Sequence, residues 1–344
     1  MNGSITLAEI WRGPVLESVH RGMAVVCRAN GEIVDAWGDP SRRFLPRSSC
    51  KMIQALPMVE SGIADRAGLT DRHLALACAS HQGAEVHTNL ARAWLSEIGL
   101  NEPDLRCGQQ IPNDAAARHT LRTDGIAPDQ THNNCSGKHC GFLTVSKALG
   151  GDAEYLEIDH PVQQGVKQVS AELAVEDLHD FAVDGCSAPN FVLSMRGFAQ
   201  SLAKFAEAEA AFSGARALAA VRLREAMAAH PLLVAGEKRA CTALIRAATG
   251  GAVVKTGAEG VFGAILPEQG LGIAIKCDDG FSRGSETAMA ALLARYGALD
   301  PEHPTCKALT DSPLTNRRGI PHGHLRAGPE LRETRVLALE TDPN

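Results

Sequence analysis

Aromatic residues are scarce in this 344-residue sequence, at 4%, and only nine of its residues are lysine. So few stacking platforms argue against carbohydrate or nucleobase stacking as the main mode of recognition. The net charge is −6 and the basic residues form no cluster, so neither nucleic acid nor an anionic membrane is the expected partner. The densest basic stretch, Arg317-Arg318, lies among Pro and Gly and reads as a solvated loop. No run approaches the roughly 18 consecutive apolar residues of a spanning helix. The opening residues, MNGSITLAEIWRGPV, lack a basic region, a continuous apolar stretch and a small-residue cleavage site. A cytoplasmic setting is therefore expected. The ten cysteines are scattered rather than densely spaced, which excludes a small disulfide scaffold and suggests that most are buried small hydrophobes.

Hydrophobic and charged contents of 44% and 22% are those of an ordinary globular chain. MAVVC at 23–27 and IVDAW at 33–37 read as strands joined by the tight-turn pair Asn30-Gly31. After Pro46, SSCKMIQALPMVESG has helical spacing, with Ser48 and Ser49 at its start and Gly62 as its stop. From 63 to 244 the periodic segments are helical, and strand character returns with GAVVKTG, GVFGAILPE and LGIAIKCDD. The tail from Pro301 is Pro/Gly-rich, with one further strand suggested at 335–339. The expected fold is α/β (α+β): an antiparallel sheet built from both chain ends, with flanking helices and a mainly helical inserted lobe. The chain reads as a single catalytic unit over 1–344, with a sheet lobe from 1–62 and 245–344 and a helical lobe from 63–244.

Ser48 and Lys51 are three residues apart, which on a helix places both side chains on one face. A serine hydroxyl is a weak nucleophile until a base takes its proton, and lysine serves as that base when burial or a second cation lowers its pKa. Ser201 and Lys204 repeat the spacing inside an ordinary amphipathic segment, so spacing alone does not choose between them. Lys255-Thr256-Gly257 at the end of a late strand favours the first pair, because Ser-x-x-Lys and Lys-Thr-Gly occur in that order in penicillin-binding proteins and class A β-lactamases. The Ser-Asp-Asn element of those enzymes is absent, which tells against a β-lactamase. Ser80 could take its part by pairing with Lys255, or could be a plain cap for the helix that begins near Ala84.

The segment HNNCSGKHCGF at 132–142 concentrates reactive side chains, and Asp184-Gly185-Cys186 adds another thiol. Cys135 and Cys186 could supply two soft ligands to Zn²⁺, or could simply be buried thiols. Asp184 offers an acceptor for a substrate ammonium and Arg47 a fork for a carboxylate, with His139 a further candidate for holding substrate. Arg239 and Asp279 are weaker candidates of the same kind.

RSSCK at 47–51, ASHQG at 79–83, HNNCSGKHCGF, DGCSAPNF at 184–191, HPLLVAGEKRACT at 230–242 and KTGAEGVFG at 255–263 together resemble the rhizobial-type L-asparaginases, in order, from about residue 10 to about residue 325. That resemblance implies a fold similar to serine β-lactamases and glutaminases, a homodimer, and hydrolysis of L-asparagine to L-aspartate and ammonia. It implies two Ser-Lys pairs, Ser48 with Lys51 and Ser80 with Lys255, and Zn²⁺ held by Cys135, Lys138 and Cys186 plus water, with Asp184 near the substrate. A glutaminase, another Ser-x-x-Lys amidohydrolase or a β-lactam hydrolase is the alternative enzyme; a non-catalytic zinc-binding protein is the alternative without chemistry.

Overall fold

The structure is a computed structural model and describes residues 3–332. Strand β1 (Ile5–Arg12) turns back into β2 (Val15–Cys27), which pairs in turn with β3 (Ile33–Trp37) across the Asn30-Gly31 turn. The expected hairpin is present, but β1 precedes it unannounced. Register shifts between Thr6 and Ala8 and between Ile10 and Trp11 break the period-two alternation by which a strand is recognised.

The other end of the chain supplies β4 (Val253–Thr256), β5 (Val261–Leu266), β6 (Leu271–Cys277), β7 (Asp311–Thr315) and β8 (Pro321–Ala327). The order across the sheet is β7-β8-β1-β2-β6-β5-β4, with β3 also on β2 and every pairing antiparallel. The two chain ends meet where Met23 to Cys27 of β2 run against β6, Cys27 opposite Gly272. The Pro/Gly-rich tail therefore contributes two edge strands, and Arg317-Arg318 lie exposed between them. The strand suggested at 335–339 lies outside the described residues.

Eight longer helices complete the architecture: α1 (Lys51–Glu60), α2 (Asp71–Ala77), α3 (Glu85–Glu97), α4 (Ser136–Ala148), α5 (Pro161–Ala174), α6 (Met195–Ala206), α7 (Gly214–Ala229) and α8 (Ser282–Arg295). Gly272 of β6 lies against Ala199 and Leu202 of α6, whereas Cys277, five residues on and so on the opposite face, lies against Gly284 of α8. Helices thus cover both faces, and β5 reads as an unbroken apolar run because every one of its residues is buried.

Helix α1 is buried along almost its whole length, packed among α2, α4, α5 and α7. The boundary at residue 62 groups it with the sheet, yet its neighbours are the helices of the other segment, while α6 from that segment lies on the sheet. Its burial makes α1 the element on which the helical layer is assembled. Leu56 at its centre is fully buried, and Leu56→Ala should lower the unfolding free energy by about 2–5 kcal/mol through lost contact and a residual cavity. Urea denaturation monitored by circular dichroism measures this directly.

Candidate active site

Five separate segments converge at the junction of sheet and helices. A single 3₁₀ turn, Arg47–Cys50, precedes α1, so Ser48 sits in that turn and Lys51 is the first residue of the helix proper. Cys50, not a serine, is the residue at the helix N-cap. Gly257, just past β4, lies so close to this turn that a Cβ there would meet the Pro46 carbonyl oxygen at 2.6 Å. The start of α4 packs as closely on the end of α2, where a Cβ on Gly137 would lie 2.2 Å from the Leu76 carbonyl oxygen. Only glycine permits either approach. Together they draw Lys51, Ser80, Cys135 and Lys255 into one buried cluster.

Ser80 is its centre. Lys255 Nζ lies 2.7 Å from Ser80 Oγ and Lys51 Nζ lies 3.2 Å from the same oxygen. Lys51 also donates to the main-chain oxygens of Ala79 and Asn134 and to Cys135 Sγ at 3.1 Å. Ser48 Oγ, half-buried, makes no hydrogen bond among the described residues. The structure therefore joins Ser80 to both lysines and leaves Ser48 adjacent but unpaired. Ser80 does not cap a helix, since the N-cap of α3 is Ala84.

Burial pushes Lys255 down to about 7, and the nearby charges of Lys51 and Arg239 add to the effect against the opposing influence of Cys241. A lysine poised there can hold or release a proton near neutrality. Arg239, a weak candidate from sequence, acts in this way through its charge.

Beside this group lies a second. Lys138 Nζ is 3.0 Å from Cys186 Sγ, and both side chains are buried along with Cys135. The Cys135 thiol donates to Cys186 and, with the Lys138 ammonium, holds Cys186 well below the usual thiol range. Cys135 keeps its proton, pushed up to about 12 first by that hydrogen bond and then by burial. Burial opposes the charge on Lys138, but Cys186 and Cys135 outweigh it and raise the ammonium's pKa. A thiolate, a thiol and an amine converging in this way form a donor set that suits a divalent, thiolate-preferring cation, which would take the place of the two protons.

Arg47 Nε and Nη2 reach Asp184 Oδ1 at 3.0 and 2.7 Å, so the two candidate substrate contacts are paired with each other. Arg47 adopts a positive φ of 54°, held by its main-chain N–H donating to Asn190 Oδ1 at 3.0 Å.

A family model for L-asparaginase II matches residues 8–327. The chain belongs to the L-asparaginase II family. It is thus an asparaginase-type amidohydrolase with a small-molecule substrate. Among solved structures, a β-lactamase from Mycobacterium bovis is similar at 13% identity, over 80% of this chain and 94% of that one, with a TM-score of 0.42. Mglu in its native form is similar at 16% identity, over 83% of this chain and 66% of that one, with a TM-score of 0.45. No curated protein matches the sequence.

Asn134 and Asn190 escaped the sequence reading of this family member. Asn134 accepts from Cys135 Sγ at 3.1 Å through its own Oδ1. Its place in the reactive segment was the available signal; Asn190 had none beyond proximity to Asp184. Asp279 lies elsewhere, grouped with His20 and Cys277. There His20 Nε2 accepts from Arg283 at 2.8 Å, which leaves Nδ1–H to donate to Asp279 at 2.6 Å. That ring presents a proton where a cation would need a lone pair, so the group is a hydrogen-bonded lock and not a metal site.

Lys255 also carries a stability consequence. Its pKa is about 7 folded and near 10.5 unfolded, so the unfolded chain binds the extra proton between those values and stability rises with pH across that window. Lys255→Met should therefore raise the melting temperature at pH 7 while abolishing activity, by an amount on the order of a few kcal/mol. The advantage over wild type should shrink as pH approaches 10, as thermal scans across pH would show.

Proposed function

We propose that the protein is a rhizobial-type L-asparaginase that hydrolyses L-asparagine to L-aspartate and ammonia by acyl transfer at its Ser-Lys centre. The observation that carries this reading is the Ser80 hydroxyl held between two buried lysines, one with a pKa of about 7. Family membership and the ordered motifs support the substrate. Ser48, the more accessible serine, attacks the side-chain amide carbon. Its proton passes to Lys51 as Lys51 passes one through Ser80 to Lys255, so charge does not accumulate on either amine. The proton returns to the departing ammonia, and water then hydrolyses the aspartyl ester. Main-chain N–H groups at the start of α1 face the developing oxyanion. Opening of the Arg47–Asp184 pair supplies a cation for the α-carboxylate and an anion for the α-ammonium.

A second reading makes Ser80 the nucleophile, favoured by its 2.7 Å hydrogen bond to Lys255 and opposed by its exposure of only 5%. Acid quenching during turnover and peptide mapping separates the two: an aspartyl ester is expected on the peptide containing Ser48, and an ester on Ser80 would transfer the role. Ser48→Ala should lower kcat by roughly 10³-fold, and wild-type ammonia release from that variant would sink the assignment. The rate should rise as pH climbs through about 7, where Lys255 becomes neutral. A preference for L-glutamine or a chromogenic cephalosporin over L-asparagine would redirect the reading to a glutaminase or a β-lactam hydrolase.

The proposal includes Zn²⁺ held by Cys135, Lys138 and Cys186 with water. When bound, the ion would act as a Lewis acid that orients the substrate's α-substituents. Cys186→Ser should reduce zinc content, measured by elemental analysis of protein purified without added metal, to a small fraction of wild type. A homodimer and a cytoplasmic setting belong to the same reading, the first carried by the family resemblance and the second by the scattered cysteines. Sedimentation measures the dimer.

A further inference from the structure

Helix α4 places Cys135, Lys138, His139 and Phe142 on one face, at intervals of three and four residues. His139 is fully buried there, and the charges that reach it are those of Lys138, Cys135, Lys51 and Asp184. Its ring has one hydrogen bond: Nδ1 lies 2.8 Å from Tyr155 Oη. Its Nε2 is buried without a partner. A buried polar atom left this way is costly unless a ligand or water completes it.

The direction of the bond at Nδ1 follows from the donors available. The main-chain N–H of Arg106 can only donate, and it donates to Tyr155 Oη at 2.9 Å. The Tyr155 hydroxyl, itself fully buried, must place its own proton on an acceptor. Among the described residues, His139 Nδ1 is the acceptor within reach. Nδ1 thus carries a lone pair, and the proton of the neutral ring sits on Nε2. Gln163 Nε2 donates to the Tyr155 carbonyl at 2.8 Å and holds the tyrosine in place.

We propose that His139 Nε2–H donates to an α-carboxylate oxygen of the bound amino acid, and that Tyr155 is a positioning residue that fixes the tautomer presenting this donor. The carboxylate half rests on the asparaginase reading; the tautomer half rests on hydrogen-bond directions alone. A carboxylate fits because the neighbouring amine of Lys138 and the orphan N–H both call for an acceptor, while the reacting amide belongs at the serines. Asp184, paired with Arg47, stands ready for the α-ammonium.

Long-range ¹H–¹⁵N spectra of histidine-labelled protein, with the His139 signals assigned by their loss in His139→Gln, read the tautomer. The expected pattern is a protonated Nε2 and an unprotonated Nδ1, with the Nε2–H resonance moving when L-aspartate is added. Tyr155→Phe should redistribute the proton between the two nitrogens. In kinetics, His139→Asn and Tyr155→Phe should raise KM for L-asparagine about tenfold or more with kcat little changed. His139→Gln should stay close to wild type, because a glutamine amide can occupy the place of Nε2 whereas the asparagine amide reaches only that of Nδ1. A proton found on Nδ1 in the wild type, an Nε2–H resonance indifferent to L-aspartate, or equal losses in His139→Gln and His139→Asn would overturn the proposal. Absence of ammonia release from L-asparagine by the wild type would be a failure of the proposed function, whereas the spectra still decide the tautomer and the carboxylate contact.

Discussion

Lys51 and Lys255, each at most 1% exposed, end on one hydroxyl, and a low-dielectric interior does not readily hold two ammonium charges so close together. Lys51 is surrounded by main-chain oxygens and a sulfur, whereas Lys255 has only Ser80 and the Thr256 carbonyl. The asymmetry makes Lys255 the one that yields its proton near neutrality. Much of the surrounding structure serves this arrangement: the turn before α1 pressed on Gly257, the start of α4 pressed on α2, and the sheet edge that delivers β4.

The thiol cluster is the electrostatic complement. Cys186, Cys135 and Lys138 hold one negative charge against one positive charge a short distance from the lysine pair, and Cys135 touches both groups. The chemistry of this site is therefore not a local property of one Ser-x-x-Lys motif. It belongs to a charge-balanced interior in which each ionisable group sets the protonation of the next.

The sheet was legible where alternation and turn chemistry were clean, as at Asn30-Gly31 and in the run of β5. It was not legible in β1, whose bulges disturb the pattern, or in the tail, where Pro and Gly read as loop although β7 and β8 form an edge hairpin that tolerates both. The reactive residues were legible as types, because few other positions place Ser, Lys, Cys and His so close together. Their pairing was not. The spacing of Ser48 and Lys51 suggested a contact, but the amine turns to Ser80, 29 residues away, and Ser80 meets Lys255 across 175 residues.

The sequence by itself determined the elements, the family and the inventory of reactive groups, since periodicity, caps and ordered motifs are local and survive in one dimension. Tertiary structure alone decided which amine faces which hydroxyl, which thiol loses its proton and which nitrogen of His139 carries one. Those outcomes depend on burial and on partners far away in the chain. A pKa or a tautomer is set by the energy of a charge or a proton in its surroundings, and those surroundings exist only once the segments have packed.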